Sequence, residues 1–134
     1  MRRSLGMILA LSLLLTLLLA ACGGAATAAP SGAVKAVQDY LQAVVNKNVD
    51  KVSALSCKEW EQSAIQELDS LQAVTAVLDG LSCTQSGTDG AAALVKCQGK
   101  IVITYNTEKQ QLDLSLRTYR VTQSGSDWLM CGYK

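Results

Sequence analysis

The chain has 134 residues, with 12 Lys+Arg against 11 Asp+Glu, one proline, five cysteines and neither histidine nor phenylalanine. Its charges are dispersed, so no basic stripe is available to neutralise phosphates, and the composition argues against nucleic-acid binding. Without histidine the commonest general base, the commonest zinc ligand and the usual partner of a nucleophilic serine or cysteine are all missing.

Arg2 and Arg3 open the chain as a positive region, and Gly6 to Ala20 follow as a leucine-dominated apolar run. That run is too short for a spanning helix, which needs about 20 apolar residues, and it fits a cleaved leader. It ends in Leu19-Ala20-Ala21-Cys22 followed by Gly23-Gly24. The tripartite pattern resembles the signal peptide of bacterial lipoproteins. The resemblance implies acylation of the Cys22 thiol, cleavage just before it, and an extracytoplasmic chain held on the cell membrane by its lipid. An ordinary leader or an uncleaved anchor would leave both the cysteine and its small neighbours as coincidence. Two acyl chains, at about 0.8 kcal/mol per buried methylene, hold a protein stably on a bilayer.

The expected division is therefore a leader over 1–21, the lipidated cysteine and a tether over 22–32, and one domain over 33–134. Arg2 and Arg3 leave with the leader, so the mature chain carries 10 basic against 11 acidic residues and is near neutral. The tether is Gly, Ala, Thr, Ser and one Pro, a composition that buries nothing. It reaches on the order of 20 Å from the membrane surface. A domain of roughly 100 residues is near the lower end of comfortable core size and benefits from a covalent staple.

Val34, Val37, Leu41, Val44 and Val45 recur at helical spacing and predict a helix from Ala33 to Asn46, with Ser31 as its cap. A short second helix follows, led by Asp50 and carrying Val52 and Leu55. Ser56 stands three residues before Glu59, the spacing of a capping box. It predicts a third helix running to Asp79, with Trp60, Ala64, Leu68, Leu71 and Thr75 as its stripe and Gly80 as terminator.

Beyond Gly80 the period becomes two. Strands are expected over Leu81–Ser86 and Ala92–Tyr105 around the turn Gly87–Gly90, then from Leu112 to about Thr122 after a turn at Asn106–Lys109, and last over Trp128–Tyr133. Helices first and an antiparallel meander after give an α+β fold, three helices on four strands with one sheet face buried.

With Cys22 given to lipid, Cys57, Cys83, Cys97 and Cys131 form an even set, and an oxidising compartment makes two disulfides of them. The layout favours Cys83–Cys97, across the first hairpin, with Cys57–Cys131, between the helical layer and the last strand. Cys57–Cys83 with Cys97–Cys131 is the main rival. No Cys-x-x-Cys pair is present and no histidine can assist, so neither a metal site nor a thiol redox centre is expected.

The helical start Ala36-Val37-x-x-Tyr40-Leu41-x-Ala43-Val44 and the closing Trp128-Leu129-Met130-Cys131-Gly132 carry a second resemblance. The region from Ala33 to Lys134 resembles exported domains of the nuclear transport factor 2-like (cystatin-like) superfamily. The resemblance implies a sheet curled around the helices into a cone open at one end. That superfamily hosts isomerases, dehydratases, transport factors and inert modules, so fold alone does not select among them.

An enzyme of that kind would place an aspartate beside a histidine or tyrosine inside the cone. The available pairs are Asp39 with Tyr40 and Asp113 with Tyr119, but both aspartates fall on polar faces, where nothing would raise their pKa. No nucleophile elbow or phosphate loop occurs. We therefore expect no catalytic residues and no cofactor, and read the chain as a non-enzymatic module binding a small molecule or another envelope protein. The candidate pocket is the cone mouth, lined by Tyr40, Trp60, Tyr105, Tyr119 and Trp128. The alternatives are a structural domain that homodimerises through the sheet face near Lys100, Val102, Arg117 and Arg120, and, behind it, a small isomerase- or dehydratase-like enzyme.

Overall fold

The computed structural model describes residues 31–134; the expected leader, Cys22 and the tether up to residue 30 lie outside the described residues. Three helices come first: α1 (Gly32–Val45), α2 (Val49–Ala54) and α3 (Lys58–Asp69). Five strands follow: β1 (Thr75–Asp89), β2 (Ala92–Tyr105), β3 (Glu108–Asp113), β4 (Thr118–Ser124) and β5 (Asp127–Tyr133). The fold is α+β with an antiparallel sheet in the order β1-β2-β4-β5, and β3 also pairs with β2.

Ser31 caps α1 by accepting from the Val34 N–H at 3.3 Å. The helix buries Val34, Val37, Tyr40, Leu41, Val44 and Val45 against the sheet. Asn48 caps α2 in the same way, accepting from the Lys51 N–H at 3.0 Å. The expected capping box at Ser56 does not form. Its hydroxyl turns back and donates to the Val52 carbonyl at 2.7 Å, and Cys57 becomes the cap residue of α3 without a side-chain bond.

The third helix stops at Asp69, ten residues short of the expected Asp79. Thr75 to Asp79 belong to β1, where Ala76 pairs with Ile103 and Leu78 with Ile101. Val74, Thr75, Val77 and Leu78 satisfy a helical stripe and an alternating strand alike, and pairing on β2 decides for the strand. Lys47 secures the turn before it, donating to the carbonyls of Gln72 at 3.1 Å and Val74 at 2.6 Å. Gly80 does take a left-handed φ of 66°, but at an irregularity within β1 rather than at a helix end. It faces Gly99, at φ 97°, where an added Cβ would lie 2.6 Å from the Asp79 carbonyl oxygen. Irregularities of this kind bend a strand, and β1 has a second one between Gln85 and Gly87.

The first hairpin turns at Gly90–Ala91 rather than over Gly87–Gly90, because Thr88 and Asp89 still pair with Ala93 and Ala92. The expected third strand is broken in two. Asp113 accepts from the Ser115 N–H at 2.8 Å and starts a 3₁₀ turn over Leu114–Leu116. Leu114 is buried while Leu116 is 79% exposed, so the leucine alternation there does not mark one continuous strand. The break gives five strands instead of four, with β4 on Ala92–Lys96 and β3 on Lys100–Tyr105 along the same edge of β2.

Cys83 is bonded to Cys97 across register partners of β1 and β2, Cα to Cα 4.0 Å. Cys57 is bonded to Cys131, Cα to Cα 5.2 Å, joining the α2–α3 junction to β5. Two backbone bonds reinforce that junction, Cys57 N–H to the Met130 carbonyl at 2.9 Å and Met130 N–H to the Leu55 carbonyl at 2.7 Å. The core residues of the described chain run from Ala33 to Met130, so residues 31–134 carry their own core.

Candidate functional site

One face of α3 carries a charged residue where packing calls for an apolar one. Glu67 lies seven residues after Trp60 and beside Leu68, on the side of the helix that meets the sheet. Its carboxylate accepts three hydrogen bonds: Tyr40 Oη donates to Oε2 at 2.9 Å, while Arg117 Nη1 at 2.7 Å and Tyr133 Oη at 3.2 Å donate to Oε1. Trp60 Nε1 in turn donates to the Tyr40 hydroxyl at 3.3 Å. The Arg117 and Glu67 side chains are only 18% and 15% exposed, so the ion pair is largely withdrawn from water.

The aromatic rings hold this cluster in place. The Arg117 guanidinium carbon sits 4.0 Å from the centroid of the Tyr133 ring, a cation–π contact. Trp60 and Tyr119 meet Tyr133 edge-on at 5.3 and 5.8 Å between centroids. Tyr119 is fully buried, and its hydroxyl has no hydrogen-bond partner among the described residues. Beside the cluster a cavity of about 410 Å³ opens between the helices and the β2–β3 half of the sheet. Val44, Leu71, Ile101, Ile103 and Leu112 supply apolar wall, and Trp60, Glu67, Arg117 and Tyr133 supply the polar end. A few polar groups converging at one end of an apolar cleft are the usual make-up of a small-molecule site.

Burial, with the Glu67 field adding to it, raises the pKa of Tyr40 well above the ordinary tyrosine value. Tyr133 is raised for the same two reasons. Burial pushes Tyr119 up to about 12, with the Arg117 guanidinium pulling the other way. Burial would lower the Arg117 pKa, but the hydrogen bond and charge of Glu67 outweigh it and hold the pKa above its ordinary value. A tyrosine whose folded-state pKa exceeds its unfolded value of 10.0 favours the fold fully below pH 10 and loses that contribution as pH rises further. Stability is therefore expected to fall as pH rises above 10, through Tyr119, Tyr40 and Tyr133 together. A spectrophotometric tyrosinate titration of the folded chain checks this: Tyr119 and Tyr40 should ionise only as the fold is lost.

Of the five residues expected to line a pocket, Trp60 lines the cavity, Tyr40 supports its polar end and Tyr119 stands behind Tyr133. The other two are elsewhere. Tyr105 is 57% exposed at the last position of β2, against the turn into β3. Trp128 is the second residue of β5 and packs against Gly32 of α1, away from the cavity lining. The two candidate acid–base pairs are not assembled: Asp39 bonds to Lys35 on the exposed face of α1, whereas Tyr40 points inward. Asp113 is exposed and caps Ser115, whose side-chain and backbone hydrogen bonds hold its carboxyl below the usual range. Arg117, expected at the outer sheet face, turns into the cavity instead. Lys100 and Arg120 do remain on the surface, each 3.6 Å from a partner, Asp79 and Asp89. Glu67, Arg117 and Tyr133 are the residues that sequence reasoning missed. The signal for the first was a carboxylate inside the stripe of Trp60, Ala64, Leu68 and Leu71.

Among the described residues no group of acidic and cysteine side chains could hold a metal ion, and no helix is long and apolar enough to cross a membrane. No family model matches the chain, and no curated protein matches it. Among solved structures, a SEC-C motif containing protein from Rhodopseudomonas palustris is similar in fold. The TM-score is 0.51 at 9% identity, over 79% of this chain and 80% of that one. A chain named as an NTF2 variant aligns over 75% of this chain and 94% of its own at 12% identity, with a TM-score of 0.43. The first likeness concerns fold alone, and the second is too weak to carry an argument.

Proposed function

We propose that the chain is a lipid-tethered, extracytoplasmic binding module of the nuclear transport factor 2-like kind, without catalytic chemistry, whose cavity takes a small molecule. The observation that carries the reading is the cavity itself: about 410 Å³, apolar along its walls and closed at one end by the Glu67–Arg117–Tyr133 cluster. Its volume falls at the lower end of the roughly 300–1,000 Å³ typical of ligand pockets. Four cysteines bonded as two pairs are in keeping with an oxidising compartment. The Leu19–Cys22 pattern supplies the anchor in this reading.

A test is native mass spectrometry on the chain from residue 22 onward, carrying Cys22→Ser and both disulfides, isolated from the cells that make it. The expected result is a bound small molecule, displaced by Ile101→Trp, which fills the cavity. An empty monomer that also stays empty when incubated with its own cell extract contradicts the reading, and a defined dimer or a foreign protein partner would favour association through the sheet instead.

A further inference from the structure

The polar end of the cavity has more donors than acceptors. Glu67 supplies both strong acceptor oxygens of the cluster, and Tyr40, Tyr133 and one N–H of Arg117 already occupy them. Arg117 carries five N–H donors, and Glu67 accepts one of them at 2.7 Å. The hydroxyl of Tyr119 is buried beside the same guanidinium and has no other polar partner among the described residues. Buried polar groups are nearly always bonded, so such a surplus marks a place for an acceptor from outside the chain. The charge count narrows the class. Glu67 and Arg117 neutralise one another, and an anionic ligand would leave one negative charge unpaired in a poorly hydrated site. A cationic ligand would meet the Arg117 guanidinium, with three donors already on the carboxylate.

We infer that the cavity takes an uncharged, largely apolar molecule whose carbonyl oxygen docks on the unused N–H groups of Arg117. The apolar body lies along Ile101, Ile103 and Leu112, and the tyrosine–Trp60 wall fixes the polar end. This rests on the reading of the cavity as a ligand site, and it adds the ligand's charge and hydrogen-bonding sense.

The test uses three probes with the same six-carbon body, N,N-dimethylhexanamide, hexanoate and hexylamine, titrated against the disulfide-bonded Cys22→Ser chain. Trp60 lines the cavity and its fluorescence reports occupancy; Trp128→Phe removes the distant background. The amide is expected to bind at least about tenfold more tightly than either charged probe, tenfold being about 1.4 kcal/mol of discrimination. Glu67→Gln keeps an acceptor for Arg117 but leaves the site with a positive charge, so its preference should reverse in favour of hexanoate. Arg117→Lys keeps the charge balance but loses the fork, and should weaken the amide while leaving thermal stability near that of the parent. Tighter binding of hexanoate or hexylamine by the unmodified site overturns the inference, and so does failure of all three to bind. If all three fail while native mass spectrometry finds a resident molecule, the ligand class is wrong and the binding module stands. If both fail, the module goes too.

Discussion

Replacing Cys57 and Cys131 together by serine is expected to cost about 4 kcal/mol of stability, the largest loss from any disulfide in the domain. The bridge closes a separation of 74 residues, against 14 for Cys83–Cys97. In the chain-entropy account the cost grows with the logarithm of loop length, so the long bridge should exceed the short one by about 1.5 kcal/mol. The backbone bonds around Met130 keep the native contact in place after the substitution, so the effect is expected to appear through the unfolded chain. For a domain of this size a loss of 4 kcal/mol lowers Tm by roughly 15–30 °C. Urea unfolding of the two double-serine variants measures both losses, and equal or inverted costs would refute the argument from loop length.

The second large effect is expected at Glu67. Glu67→Ala removes the common acceptor of Tyr40, Tyr133 and Arg117 at once. Each orphaned buried donor costs about 1–3 kcal/mol, less any compensation from water entering the cavity, and the total is expected near 4 kcal/mol. Arg117→Ala leaves the two tyrosine bonds intact and should cost about 2 kcal/mol, below the usual figure for a broken buried pair because its partner keeps other donors. Asp39→Ala breaks a pair whose lysine is 66% exposed and should stay within about 0.5 kcal/mol. If Glu67→Ala proves no more costly than Asp39→Ala by equilibrium unfolding, the cluster is not the organising feature described above.

The helical and strand periods were legible where one period was satisfied and the other was not. Val34 to Val45 can only be a helix stripe, and Val95, Cys97, Ile101 and Ile103 fit only a strand with one face inward. From Val74 to Leu78 both periods fit, and the decision came from pairing with Ile101 and Ile103, residues more than twenty positions away. The leucines at 112, 114 and 116 misled in the opposite sense, since a local Asp113–Ser115 bond ended the strand between them. Gly80 was legible as a left-handed position but not as part of a strand.

Of the site, three of the aromatic residues were legible, whereas Tyr133 and the charged centre were not. Tyr40, Trp60 and Tyr119 stood out because large aromatics are few in a chain without phenylalanine. Arg117 was hidden because its inward turn depends on the 3₁₀ break before β4, which alternation did not predict. Tyr133 sits next to the C-terminus, where backbone bonds between Thr118 and Lys134 at 2.8 and 3.1 Å hold the last strand in register. A residue's side of a sheet near such an end follows from pairing and not from local sequence.

The whole account of where this module works rests on Cys22. The most direct measurement is the mass of the N-terminal peptide of the chain recovered from its native cells. The account predicts a membrane-fraction peptide that begins at Cys22 and carries a diacylglyceryl group on its thiol. A peptide that begins at Met1, or a Cys22 that is unmodified in a freely soluble chain, would contradict it.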